Sequence, residues 1–189
     1  MEVLKQIYDN RDCSFDIKIL DNFFTEDEYN EINEIVTKLN YPALDTAYGE
    51  SPDKHVWFST PVNNKLQELI KTRTNEKLKV NITNVHLCNY TLVTKVPNGK
   101  REIHDDYETE ECNWQCIIFI NGKSSLHSGI SFYNIDEDKK SMHLNTCVGF
   151  HPNRIVFWRC NMWHCPLNYE DDFKSRHSII AQFKIDNKC

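Results

Sequence analysis

The chain has 189 residues, of which 22 are basic and 28 acidic, so its formal net charge at pH 7 is −6. At about 100–200 residues per domain, this length predicts one compact domain, 1–189, and leaves no room for a second full one. Hydrophobic residues make up 40% of the chain, with only 5 Gly and 6 Pro, which excludes a disordered or low-complexity protein. The acidic balance makes nucleic acid an unfavourable partner, because phosphate binding needs an excess of basic residues.

The sequence carries no targeting or membrane signal. No apolar stretch follows a basic N-terminal region, and none approaches the roughly 18–20 residues that a membrane-spanning helix needs. We therefore expect a soluble, cytoplasmic protein with no membrane partner. The eight cysteines are expected to be free thiols, since a chain of this length can form its core without disulfides. Nothing in the sequence specifies an oligomeric state.

The N-terminal part, 1–79, is predicted to be a helical support for the rest of the domain. Thr25 and Glu28 stand at capping-box spacing before an apolar-periodic run, which predicts the start of a first helix. Thr60 followed by Pro61 predicts the start of a second helix, since proline suits the first helical position.

From about residue 80 the apolar period changes from helical to alternating, and this pattern continues through the predicted core, 80–187. Short β-rich segments recur there at roughly the 8–12-residue spacing of an all-β sandwich or barrel, without crossover helices. The pattern predicts a mainly β fold with N-terminal helices, built as a two-sheet jelly roll. The candidate strands are 83–94, 101–107, 114–121, 129–134, 141–147, 154–159, 162–167 and 175–185.

The most informative segment contains His104 and Asp106. Alternate side chains of a strand share a face, so these two can point the same way. A jelly roll could bring His164, from a later strand, back beside them. Two imidazoles and one carboxylate leave open positions on a metal ion, an arrangement suited to non-haem Fe(II) and oxygen chemistry. The three residues therefore form a candidate Fe(II) site.

Arg176 and Ser178 follow His164 at the start of the last predicted strand and share a face of it. A guanidinium with a hydroxyl beside it is suited to binding a carboxylate. Together with the His-x-Asp…His order, this pattern resembles the 2-oxoglutarate and Fe(II)-dependent dioxygenases, in particular their prolyl-hydroxylase-like members. The resemblance covers about residues 80–186.

The resemblance implies a double-stranded β-helix, the jelly-roll fold shared with cupins, and a hydroxylase that uses Fe(II) and 2-oxoglutarate; ascorbate is a further cofactor that it allows. Asn153 stands where the family carries glycine in the turn before the second histidine, and Asn also enters the left-handed region. The site residues that the resemblance implies are the iron ligands and catalytic residues His104, Asp106 and His164, and the cosubstrate-binding residues Arg176, Ser178 and Tyr90.

The sequence does not name the substrate. The resemblance implies either a peptidyl residue or a small amino-acid-like molecule, and a nucleic acid is disfavoured by the net charge. An acidic run from Asp105 to Glu111 follows the first histidine, next to the expected mouth of the site. Electrostatic steering by this run would favour a cationic substrate.

Two other function classes remain open at this stage. A jelly-roll module could bind without catalysis or could hold zinc, and the chain could instead be a structural interaction protein that uses its cysteines. Cys112, Cys116 and Cys160, with His164 and Cys165, fall within the spacing range of a zinc site. Cys116, however, lies inside an alternating apolar segment, where a small buried thiol is an ordinary core residue.

Overall fold

The computed structural model describes residues 17–40, 57–93, 103–106, 108–135, 141–168 and 176–186. Two helices and nine strands lie in these ranges. In chain order they are β1 (Ile17–Leu20), α1 (Glu26–Lys38), β2 (Trp57–Pro61), α2 (Asn64–Leu78), β3 (Ile82–Val93), β4 (Trp114–Asn121), β5 (Ser125–Ile135), β6 (Met142–Phe150), β7 (Arg154–Arg159), β8 (His164–Asn168) and β9 (Arg176–Ile185).

The strands form two antiparallel sheets. The major sheet has six strands in the order β1-β7-β4-β9-β3-β2, and the minor sheet has three in the order β6-β5-β8. Neighbours in both sheets are often distant in sequence, as expected when a jelly roll returns each segment to the opposite sheet. The prediction of a mainly β, double-stranded β-helix with N-terminal helices is therefore confirmed.

The N-terminal part contributes strands as well as helices. The capping box at α1 is confirmed: the Thr25 hydroxyl accepts from the Glu28 N–H at 3.3 Å, and the Glu28 carboxylate accepts from the Thr25 N–H at 2.9 Å. The predicted start of α2 at Thr60-Pro61 is wrong, because these residues belong to β2, an edge strand where proline is tolerated. Asn63 caps α2 instead, accepting from the Leu66 N–H at 2.9 Å.

The predicted strands from residue 80 onward agree with the observed ones, except for segment 101–107. Within the described part of this segment, His104 makes an isolated bridge to His164 and does not belong to a longer strand. The turn before β7 contains Asn153 at φ 62°, so asparagine does adopt the left-handed conformation predicted for it. Its side chain also exchanges hydrogen bonds with the backbone of Phe24 at 2.8 and 3.0 Å, which connects the turn to the start of α1.

The major sheet is buried on both faces and separates two apolar clusters. Successive side chains of β4 alternate between them, which explains why residues 114–120 are all buried. The outer core lies on the face that the helices cover and includes Ile32, Val36, Ile70, Cys116 and Ile118. The inner core lies between the two sheets and consists of Ile117, Phe119, Ile130, Phe132, Val148, Phe150, Val156 and Trp158.

Neither α1 nor α2 is long and apolar enough to cross a lipid bilayer, and these are the helices in the described part of the chain.

Candidate functional site

His104, Asp106 and His164 come together beside the inner core, where the His164 ring lies next to Phe132 and Trp158. One potential ligand atom from each lies within 4.8 Å of the others, and no other group of three or more metal-binding side chains occurs among the described residues. His104 and His164 are held by a reciprocal pair of backbone hydrogen bonds of 3.0 and 2.8 Å. The two imidazoles therefore start from directly opposed positions of an antiparallel bridge, with ring centroids 4.6 Å apart.

The environment of His164 selects the neutral tautomer that binds metals. Its Nδ1 lies 2.8 Å from the Met162 carbonyl oxygen. Because a carbonyl can only accept, Nδ1 carries the proton and the lone pair of Nε2 is directed to the site. Burial lowers the pKa of His164, which further favours the uncharged ring.

Asp106 completes the donor set. Its backbone N–H donates to the Cys160 carbonyl at 2.9 Å, and its Oδ2 lies 3.4 Å from Nε2 of His164. Two ligands at right angles on one ion, with bonds of roughly 2.1 Å, lie about 3 Å apart. The 3.4 Å spacing of this pair is close to that value, and the mixture of imidazole and carboxylate donors suits a divalent ion such as Fe(II).

Aromatic residues of the inner core form the inner wall beside His164. The ring centroids of Trp158 and Phe132 lie 5.2 and 6.3 Å from that of His164. Trp158 and Gln115, which face each other across β7 and β4, are each about 2% exposed. The indole N–H of Trp158 and the amide nitrogen of Gln115 have no hydrogen-bond partner within the described ranges. Sequence reasoning missed these two donors, since only the pairing register brings them together.

Arg176 and Ser178 also face the inner core. Ser178 pairs with Phe119 in the β4–β9 register, and Arg176 lies two residues before it on the same face. Both side chains are about 2% exposed. The Arg176 guanidinium donates to the Leu167 carbonyl at 3.0 Å, which positions it against β8, the strand that begins at His164. Leu167 is three residues from His164, which corresponds to about 10 Å along an extended strand.

The structure places Tyr90 away from this pocket. Tyr90 pairs with Ile179, whose side chain belongs to the outer core, and Tyr90 packs in the same cluster. Burial raises the pKa of its phenol to about 12. The major sheet therefore lies between the side chains of Tyr90 and Ser178, and the contact of Tyr90 with the cosubstrate stays a prediction. Thr91, the next residue, pairs with Ser178 on the inner face.

The cysteines do not form the alternative zinc site. Cys112 and Cys160 approach each other, with their Sγ atoms 2.9 Å apart. Cys116 lies in the outer core, fully buried, and Cys165 contacts Ser131 on the minor sheet. The cysteine-based zinc site is therefore wrong, because β4 directs Cys116 to the face opposite His164.

Comparison with solved structures gives matches at probability 1.00. One is a prolyl-4-hydroxylase from Pseudomonas putida, with a TM-score of 0.58, 12% identity and coverage of 90% of this chain and 93% of that one. Another is the Trichoplax adhaerens prolyl hydroxylase in complex with a peptide fragment of the hypoxia inducible factor oxygen degradation domain, with a TM-score of 0.60, 13% identity and coverage of 96% and 89%. The chain has the fold of these oxygenases.

A third match is SnoN, a non-haem α-ketoglutarate-dependent epimerase of nogalamycin biosynthesis, with a TM-score of 0.65, 10% identity and coverage of 97% of this chain and 83% of that one. SnoN has also been solved in complex with Fe3+, α-ketoglutarate and nogalamycin RO. No family model matches the sequence. No curated protein matches it either. At these identities the similarity concerns the fold, and the chemistry must be argued from the site.

Proposed function

We propose that this protein is a 2-oxoglutarate- and Fe(II)-dependent oxygenase that hydroxylates a peptidyl residue or a small amino-acid-like molecule. The observation that carries the proposal is the convergence of His104, Asp106 and His164 beside the inner core, together with the position of Arg176 on the inner face of the major sheet. Metal ligands and a buried guanidinium on one interior surface are what a metal-chelating dicarboxylate requires.

In this proposal each residue has a separate task. His104, Asp106 and His164 hold the iron, and the Met162 carbonyl keeps His164 in its metal-binding tautomer. Arg176 and Ser178 bind the far carboxylate of 2-oxoglutarate, at a distance along β8 that a short extended dicarboxylate can span. Trp158 and Phe132 exclude water beside His164.

When bound, iron and 2-oxoglutarate supply an oxidative decarboxylation to succinate and carbon dioxide that is coupled to hydroxylation of a substrate C–H bond. The protein contributes the positions of the ligands and a buried pocket. The buried N–H groups of Trp158 and Gln115 are placed to donate hydrogen bonds to an oxygen atom of a bound molecule, which would offset the cost of about 1–3 kcal/mol that a buried donor without a partner carries.

The acidic surface beside the site supports a cationic substrate. Asp105 and Glu108 flank Asp106, and Glu110 and Glu111 follow as exposed residues. Arg159 is a basic residue near this run, 3.6 Å from Glu108, and its guanidinium stacks over Trp114 on the outer side of the sheet. The carboxylates described beside Asp106 would attract a positively charged peptide or amine at low ionic strength.

The decisive experiment measures succinate formation from 2-oxoglutarate by anaerobically prepared protein after addition of Fe(II) and oxygen. We expect the unmodified protein to bind one Fe(II) per chain and to turn over only when both Fe(II) and oxygen are added. Asp106→Ala should lose both the bound Fe(II) and the turnover. Glu108→Ala is the matched control, because it removes a neighbouring carboxylate outside the donor set. Iron binding by Asp106→Ala equal to that of the unmodified protein would contradict the assignment of the site.

A further inference from the structure

Cys112 and Cys160 form a thiol pair beside the candidate metal site. They are 48 residues apart in sequence, and their Sγ atoms lie 2.9 Å from each other in a buried position. A disulfide bond is about 2.05 Å long, so the sulfur atoms need to approach by less than about 1 Å. The other four free cysteines that the structure describes, Cys88, Cys116, Cys147 and Cys165, show no such contact with one another.

Backbone hydrogen bonds hold both thiols in place. Cys112 closes a turn with Thr109, whose hydroxyl accepts from the Cys112 N–H at 3.0 Å. The Cys160 N–H donates to the carbonyl of Asn113, the residue after Cys112, at 3.2 Å. The two backbones are therefore already adjacent, so that closing the remaining gap requires only small movements of the two side chains.

We propose that Cys112 and Cys160 are a reversible disulfide site that cross-links the segment carrying Asp106 to the end of β7. One hydrogen bond connects Cys160 directly to the candidate metal ligand Asp106: the Cys160 carbonyl accepts from the Asp106 N–H at 2.9 Å. A disulfide would hold Cys160 in place and would thereby restrain its hydrogen bond with Asp106. The segment from Asp106 to Asn113 would then be fastened to β7 covalently as well as by hydrogen bonds.

Hydrogen peroxide is the oxidant class that suits buried thiols, because it is small. One cysteine sulfur attacks the peroxide O–O bond, forming a sulfenic acid and releasing water. The second sulfur then attacks the sulfenic sulfur, the S–O bond breaks, and a second water leaves. In total two thiols lose two protons and two electrons to one peroxide, and a dithiol reagent reverses the change.

The test uses full-length protein freed of metal with a chelator, so that iron does not catalyse peroxide decomposition. After treatment with hydrogen peroxide, we expect two of the eight cysteines to be lost to alkylation under denaturing conditions. Peptide mass mapping should identify a Cys112–Cys160 cross-link, and dithiothreitol should restore both thiols. Cross-linking a loop of this length should raise the Tm by about 5 °C or more.

Two variants make the result specific. Cys112→Ser and Cys160→Ser should each abolish the cross-link and the rise in Tm, whereas Cys147→Ser, which changes an exposed cysteine, should oxidise like the unmodified protein. The proposal is overturned if all eight thiols survive peroxide, if mapping finds a different pair, or if the thiols become sulfinic acids without a cross-link. Using both serine variants keeps the test valid if one of them does not fold.

A second measurement tests the link to the metal site and rests on the proposed function. Oxidised protein loaded with Mn(II) should release the ion to a chelator at least threefold more slowly than reduced protein, since Asp106 can no longer move away with its segment. If the cross-link forms but the two release rates are equal, the coupling between the disulfide and the metal site is refuted and the disulfide itself is not. Absence of Mn(II) binding in the reduced protein would instead refute the metal site, and the cross-link would still be tested by mass.

Discussion

Replacement of Arg176 by methionine is the most direct test of the proposed cosubstrate pocket. Arg176 is buried in the inner core and donates to the Leu167 carbonyl at 3.0 Å. Methionine has a similar length and suits apolar surroundings, so Arg176→Met removes the charge without leaving a large cavity. Because the side chain lies on the same inner face as Ser178, its loss should affect the far carboxylate of 2-oxoglutarate and not the metal ligands.

The expected effect is large. Breaking a buried ion pair by removal of one partner costs about 3–5 kcal/mol, because the other charge remains buried without compensation. At 1.4 kcal/mol per factor of ten, the Kd for 2-oxoglutarate should rise roughly 100- to 4,000-fold. The Kd for the metal should change less than about threefold, since no ligand atom is altered.

The assay is anaerobic titration of Mn(II)-loaded protein with 2-oxoglutarate by calorimetry, preceded by a metal titration of each variant. Arg176→Lys retains the charge and should recover part of the affinity. Arg154→Met is the matched control, because Arg154 is bonded to Asp21 at 2.6 and 3.0 Å and to the Gly149 carbonyl at 2.9 Å.

Two results would refute this reasoning. If Arg176→Met binds 2-oxoglutarate as tightly as the unmodified protein, the carboxylate does not bind at this guanidinium. If Arg154→Met instead loses affinity, the anchor lies at the start of β7, near the end of β1, and the orientation of the cosubstrate is reversed.

Two further predictions test which face of the major sheet Tyr90 occupies and how closely β5 and β6 pack in the minor sheet. Tyr90→Phe should leave the Kd for 2-oxoglutarate unchanged within twofold and lower the free energy of unfolding by less than about 0.5 kcal/mol. The reason is that the Tyr90 hydroxyl is buried in the outer core without a described partner. A tenfold rise in Kd would instead place Tyr90 at the cosubstrate site. Gly129→Ala should reduce the free energy of unfolding, measured in urea, by more than about 3 kcal/mol, because a Cβ at this φ of 150° would lie 2.0 Å from the Val148 carbonyl oxygen. A loss below about 1 kcal/mol would contradict this close packing of β5 against β6.

The grouping of His104, Asp106 and His164 could be predicted from sequence because their chemistry and their spacing agree. A two-residue separation puts His104 and Asp106 on one side of an extended segment, and the order of the strands brings His164 opposite them. The prediction that segment 101–107 forms a full strand was not needed for this result. A single bridge at His104 is enough to set the distance between the two imidazoles.

The face of Tyr90 could not be predicted in the same way. Alternation identifies the buried face of a strand only when the other face is exposed, and both Tyr90 and Thr91 are about 3% exposed. The pairing of β3 with β9 also has irregularities between Ile82 and Asn84 and between Val85 and Leu87. Each irregularity changes which side chains face inward, and neither is marked by a glycine or a proline.

The start of α2 shows how tertiary pairing selects between two local signals. Thr60-Pro61 and Asn63 are both acceptable helix starts, and the sequence does not rank them. In the structure Thr60 pairs with Tyr90 and Pro61 with Asn89 at the edge of the major sheet. Extension of β2 to Pro61 leaves Asn63 as the next residue able to cap the helix.

One short segment, 158–164, organises most of the candidate site through its backbone. The Cys160 carbonyl holds the Asp106 N–H, the Met162 carbonyl holds Nδ1 of His164, and the Trp158 ring packs against that imidazole. Carbonyl groups are present in every residue, so two of these three contacts depend on the path of the chain and not on side-chain identity. Such a site can keep its geometry while most of its surroundings change. It also means that substitutions here should act through the turn: a change that alters the path of residues 159–162 should displace Asp106 and His164 together.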